Sequence, residues 1–197
     1  TADTGKIGTT YVFTNSSNGI NISNNNFSGL KDFTMCAWIC PLGTHLHYDG
    51  AIISSGNWNS THWSFSINQN NTGFSCRCPS FVSTAYTFNI NTWYHVIYMR
   101  KGTMLYGYVN GELISSVNNS NNIPLNSNYD NTTIGRETYA DGYFSFNGYI
   151  QDVRIYDEAL SVSEIKEIYK TKILHYDFNW PYAEPTTNLW NKAYEWH

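Results

Sequence analysis

Apolar and polar residues alternate with a period of two through most of the chain, in short runs separated by turn-forming residues. That pattern predicts strands that each bury one face, as in a sandwich or barrel. The runs are Tyr11–Thr14, Gly19–Ile22, Phe33–Cys40, Ala51–Ser54, Trp63–Asn68, Gly73–Cys78, Tyr94–Arg100, Met104–Val109, Glu112–Val117, Asn131–Gly135 and Gly148–Tyr156. The clearest stretch is Trp93–Val117, where Lys101-Gly102 and Asn110-Gly111 join three runs of β-branched and aromatic residues. Asn-Gly suits the positive φ angles of a tight hairpin turn, so this stretch reads as a meander. Phe33, Met35, Ile39, Val96, Val109, Ile134, Val153 and Ile155 are the expected core.

One segment changes period. Ser161 followed by Glu164 is a capping box, and Val162, Ile165, Ile168 and Tyr169 then share one helical stripe, predicting a short surface helix near 161–170. Leu174–Phe178 reads as a further edge strand. Asn179–His197 has no period and reads as a linker or the start of a following module. The expectation is a single all-β domain over residues 1–178, two antiparallel sheets with one short C-terminal helix.

Composition agrees and narrows the partners. Aromatic residues make up 17 % and charged residues 13 % of 197 residues, a balance that favours strands over a helical bundle. The net charge is −4, and no Lys/Arg run supplies the electrostatic footprint of a nucleic-acid or anionic-membrane partner. No apolar run approaches a membrane span. The first residues, Thr1-Ala2-Asp3-Thr4, lack the regions of a signal peptide and an initiating Met, so the chain reads as a piece of something longer. Cys36 and Cys40 stand about 13 Å apart in an extended strand, too far for a disulfide. Cross-pairing with Cys76 or Cys78 stays open beside free thiols and metal, although the spacing misses the usual zinc pattern.

Several segments, in order, resemble a known family: Phe33-Thr34-Met35-Cys36-Ala37-Trp38-Ile39, Asn91-Thr92-Trp93-Tyr94-His95-Val96, Tyr108-Val109-Asn110-Gly111-Glu112-Leu113, Thr133-Ile134-Gly135, Phe146 to Tyr156, Ala159-Leu160-Ser161 and Glu164-Ile165. Together they are similar to the concanavalin A-like lectin/glucanase superfamily, laminin G-like (pentraxin-like) branch, across about residues 8–172. The resemblance implies a jelly-roll sandwich, a structural place for Trp38, Trp93 and His95, and a concave face that in many members receives glycan. Asn-rich loops and the segment from Tyr176 to Leu189 also resemble tail or appendage proteins of bacteriophages. That resemblance implies a receptor-binding module on a virion or bacterial cell surface, within a larger multidomain or oligomeric assembly built in the bacterial cytoplasm, where cysteines stay reduced.

The chemistry-bearing residues fit binding rather than catalysis. Glycoside hydrolysis needs two facing carboxyl groups, and the seven Glu form no E-x-D-x-E pattern like that of the superfamily's glucanases. Sugar recognition instead needs aromatic faces beside amides, carboxylates or cations. Two loops offer them: Asn57, Trp58, Asn59 and His62 in one, Arg136, Tyr139, Asp141 and Tyr143 in the other. Trp58 or Tyr139 is expected to carry affinity, rather than Trp38 or Trp93. His45 and His47 form an H-x-H pair lacking a third ligand and read as a surface loop rimming the groove. Jelly-roll lectins often hold structural Ca2+; Asp152, in an otherwise apolar strand, and then Asp32 are the candidate ligands, with a salt bridge to Arg154 the alternative for Asp152. The sequence reading is thus a non-catalytic, carbohydrate-binding module, against a structural or protein-interaction module that binds no sugar.

Overall fold

The computed structural model describes residues 2–5, 8–14, 18–23, 27, 29–45, 48–56, 63–77, 81–119, 131–137, 143–177 and 193–196. They form β1 (Ala2–Gly5), β2 (Gly8–Thr14), β3 (Ile20–Ser23), β4 (Phe33–Pro41), β5 (Gly50–Ser55), β6 (Trp63–Ile67), β7 (Gly73–Arg77), β8 (Phe81–Ala85), β9 (Tyr94–Lys101), β10 (Met104–Val109), β11 (Glu112–Asn118), β12 (Asn131–Ile134), β13 (Asn147–Tyr156), α1 (Val162–Asp177) and β14 (Ala193–Trp196). Every pairing between these strands is antiparallel. An eight-stranded sheet runs β1-β2-β13-β4-β9-β10-β11, with β14 on β13, and a six-stranded sheet runs β3-β12-β5-β6-β7-β8.

Alternation sets the interior. Phe33, Met35, Ala37 and Ile39 of β4 face Trp63, Phe65 and Ile67 of β6 and Phe74 and Cys76 of β7 in one core, together with Val96, Tyr98, Val109, Ile134, Val153 and Ile155. All eight expected core residues are buried. Rings pack edge to face here: Phe74 meets Tyr98 at 6.2 Å and 87°, the geometry an aromatic quadrupole favours. The expected meander is present as β9-β10-β11. Asn110 and Gly111 take φ of 52° and 79°, and the Asn110 side-chain oxygen accepts the His95 N–H at 2.9 Å.

A second cluster covers the outside of the eight-stranded sheet. Cys36, Ile97, Met99, Tyr108 and Tyr156 meet Leu160, Ile165 and Ile168. The capping box closes the start of α1: the Ser161 N–H donates to Glu164 Oε2 at 2.8 Å, and Ser161 Oγ accepts the Glu164 N–H at 3.3 Å. Trp38 is buried beneath this helix, its ring 5.2 Å from His95 and 5.7 Å from Tyr169.

The structure corrects the sequence reading at the C-terminal end. The helix runs on to Asp177, so Leu174 to Asp177 are helical rather than an edge strand. No Gly or Pro interrupts 162–177, and Lys170, Lys172 and Leu174 are good helix formers. Ala193–Trp196, in the segment read as a linker or the start of a following module, pairs with Val153–Tyr156 of β13 beyond the stretch that β2 covers. Two strands, β1 and β8, were not anticipated. Trp93 is only half-buried, its ring 6.1 Å from that of Tyr149.

Candidate functional site

The outward positions of the six-stranded sheet follow from its inward ones. Trp63, Phe65 and Ile67 point into the core, so Ser64 and Ser66 point away, and the same alternation turns Ser75 and Arg77 of β7 outward. Register extends this into a ladder. Asn21 pairs with Thr133, Thr133 with Ser54, Ser54 with Ser64, and Ser64 with Arg77. Five strands thus contribute one row of small hydroxyl and amide side chains ending in a guanidinium. A second row, Ser66-Ser75-Ser83, lies two residues further along β6, β7 and β8.

These outward side chains have little exposure: Ser54, Ser64, Ser66, Ser75 and Thr133 are all buried. At one margin Asp49 turns its carboxylate onto the second row, accepting from Ser75 Oγ and from the Gln69 N–H, each at 3.3 Å. Burial raises its pKa, while those two hydrogen bonds and the Arg77 charge oppose the rise. Beside it Tyr48 is exposed and stacks on Phe144, centroids 4.8 Å apart and planes 15° apart. One face of the Tyr48 ring is therefore occupied and the other is open.

At the far margin lies Arg136, a residue the sequence singled out. It follows β12, and its backbone carbonyl accepts from Ser54 Oγ at 3.1 Å. Its side chain crosses Gly19, where a Cβ would stand 2.7 Å from its Cγ, 2.8 Å from its Nε and 2.8 Å from Thr133 Cγ2. Glycine there leaves a channel in which the guanidinium lies flat. Arg136 Nη2 reaches Asn21 Oδ1 at 3.5 Å, and Nε has no hydrogen-bond partner among the described residues.

Of the other sequence-predicted residues, Tyr143 is exposed on the connection that leads from Arg136 to β13. Asn57, Trp58, Asn59, His62, Tyr139 and Asp141 lie outside the described residues, as do His47 and Cys78. The segment holding Trp58 leaves Gly56 and returns at Trp63, next to Ser54 and Ser64 in the row. Trp63 itself is core. His45 is no surface residue: it is buried, its Nδ1 accepts the Asn147 N–H at 3.1 Å, and its ring lies 5.2 Å from Phe146. Burial drives its pKa down to about 4, against smaller opposing contributions from Asn71 and Ser145. Acceptance at Nδ1 likewise requires a neutral ring.

The two calcium candidates each have protein partners. Asp152 sits at the bulge between Gln151 and Arg154 with φ of 54°. Its carboxylate oxygens face Arg154 Nε at 2.9 Å and Nη2 at 3.2 Å, the forked ion pair weighed as the alternative. Asp32 accepts the Gly102 N–H at 2.8 Å, fastening the β9–β10 turn. Among the described residues no three His, Cys, Asp or Glu side chains gather as metal ligands. Cys36, Cys40 and Cys76 are buried free thiols.

The row, Asp49 and Tyr48 are what sequence reasoning missed. The signal was present in Trp63-Ser64-Phe65-Ser66-Ile67 and Gly73-Phe74-Ser75-Cys76-Arg77, where every second residue is small or polar.

The chain belongs to the concanavalin A-like lectin/glucanases superfamily, whose family model matches residues 14–166. Solved structures with a similar fold include domain 4 of AbnA, an extracellular arabinanase from Geobacillus stearothermophilus, in complex with arabinotriose. It is 18 % identical with a TM-score of 0.66 over 85 % of this chain and 80 % of that one. The CBM40 of the Ruminococcus gnavus IT-sialidase, bound to α2,3 sialyllactose, is 17 % identical with a TM-score of 0.60 over 78 % and 99 %. A heptameric pentraxin from Limulus polyphemus is 18 % identical with a TM-score of 0.62 over 80 % of each chain. Identity this low establishes a shared fold. No curated protein sequence matches the chain.

Proposed function

We propose that this chain is a non-catalytic glycan-binding module whose ligand lies along the outward face of the six-stranded sheet. The observation that carries the reading is the polar row with an aromatic ring, half-stacked and half-open, at its margin. Hydroxyl pairs of a sugar find Ser, Thr and Asn side chains there, and the apolar side of a pyranose finds the free face of Tyr48. Asp49 stands at the margin of the rows, and the seven Glu of the sequence form no E-x-D-x-E pattern of the kind that glycosidic hydrolysis uses in this superfamily. The arabinotriose and sialyllactose complexes of similarly folded modules support the reading. On the phage-like sequence features we assign the module to receptor binding on a tail, appendage or bacterial surface. Three buried free thiols suit assembly in a reducing compartment.

A glycan array probed with the intact chain tests this. Binding to a defined set of glycans is expected, weakened by Tyr48→Ala by about 1–3 kcal/mol, the range of stacking on an aromatic face, with the melting temperature nearly unchanged. A silent array would overturn the reading. It would favour the alternative, a protein-interaction module, for which the edge strand β11 with exposed Leu113, Ile114 and Val117 is the natural contact.

A further inference from the structure

We infer that the bound glycan carries a carboxylate, held by Arg136 at the β3–β12 margin of the site; this rests on the glycan reading above. The charge arrangement on this face is the reason. Arg77 closes the opposite end of the row, but the Asp49 carboxylate lies within electrostatic reach of it. Among the described residues Arg136 has no such partner: its guanidinium makes one long contact, to a neutral amide oxygen. A guanidinium offers five N–H donors in a planar fork that matches a carboxylate. A guanidinium lying along the row with no carboxylate partner among the described residues is a position that a neutral hydroxyl fills poorly and an anionic sugar fills well.

Gly19 gives the arrangement its geometry. Any side chain there would meet Arg136 Cγ and Nε, so the glycine keeps the guanidinium level with Thr133 and Asn21, at the height of the row rather than above it. A ligand stretched from Tyr48 toward Arg136 would then meet an aromatic face at one end, hydroxyls between, and a cation at the other. Two kinds of sugar bring a carboxylate, uronic acids and sialic acids, and the fork itself serves both.

Calorimetry separates them: trigalacturonate against its methyl ester, and sialyllactose against lactose, each titrated into the intact chain. At least one acidic member should bind tenfold or more tightly than its neutral counterpart, and the preference should shrink with added salt. Arg136→Gln should bring the ratio close to one, and Arg136→Lys should restore only part of it. Gly19→Ala, which keeps the charge but displaces the fork, should also lower the ratio, guarding against a folding defect particular to Arg136→Gln. If neutral glycans bind as tightly, or if Arg136→Gln keeps the preference, the carboxylate assignment is wrong while the glycan reading stands. If no glycan of either kind binds, both are wrong.

Discussion

The two sheets share one core but use their outer faces in opposite ways. On β4 and β9 the outward residues are Cys36, Trp38, Ile97 and Met99, and α1 closes over them, so that all nine residues of β4 are buried. On β6 and β7 the outward residues are Ser64, Ser66, Ser75 and Arg77, and the face is polar. The inward alternation is the same on both. The difference is one of chemistry: the inward alternation specifies the fold on both sheets, while the outer face is apolar under α1 on one and rich in hydroxyls on the other.

The contrast can be broken most strongly on the helix-covered side. Trp38→Ala removes a fully buried indole between His95 and Tyr169 and should cost about 3–5 kcal/mol in chemical denaturation, with affinity of the folded fraction intact. A cost below 1 kcal/mol would mean that α1 does not seal this face. Next in size is the response to acid. His45 is held neutral, with its pKa near 4 against 6.5 in an unfolded chain. The unfolded state therefore takes up the proton first, and stability present above pH 6.5 drains away as the pH falls towards 4, by about 3 kcal/mol at 1.36 kcal/mol per unit. Asp49, raised by burial, works in the other direction, losing stability as the pH rises through its elevated value. Denaturation midpoints at pH 7 and pH 4.5 should differ in the parent and converge in His45→Gln; a flat parent profile would contradict the buried neutral ring. The smallest effect belongs to the polar row. Ser64→Ala should change stability by less than about 0.5 kcal/mol yet weaken glycan binding by about 0.5–1.5 kcal/mol, which parallel melting and calorimetry would show.

Legibility in the sequence follows the same division. Core strands were readable because burial of one face imposes alternation on consecutive residues, and the Asn110-Gly111 turn because its φ values restrict the residue types. The polar ladder was hidden because it runs across chain neighbours that register alone brings together: Asn21 meets Thr133, and Thr133 meets Ser54. Arg136 could be suspected from its loop, but its lack of a counter-charge among the described residues depends on Gly19 and Asn21, more than a hundred residues away. β8 was missed because Phe81–Ala85 is short and follows Pro79. The end of α1 was misjudged because Leu174–Phe178 alone suits either period.

The position of β13 has a consequence for how the molecule comes into being. This strand pairs with β2 along Asn147–Ile150 and with β4 on its other side, so the larger sheet cannot close until more than three quarters of the chain has been synthesised. β9, β10 and β11 are joined by tight turns and can zip locally, whereas β12 must cross a long loop to insert between β3 and β5. The polar row is therefore completed late: on a growing chain Ser54, Ser64 and Arg77 are laid down first, and the margin that carries Arg136 arrives only when β12 docks.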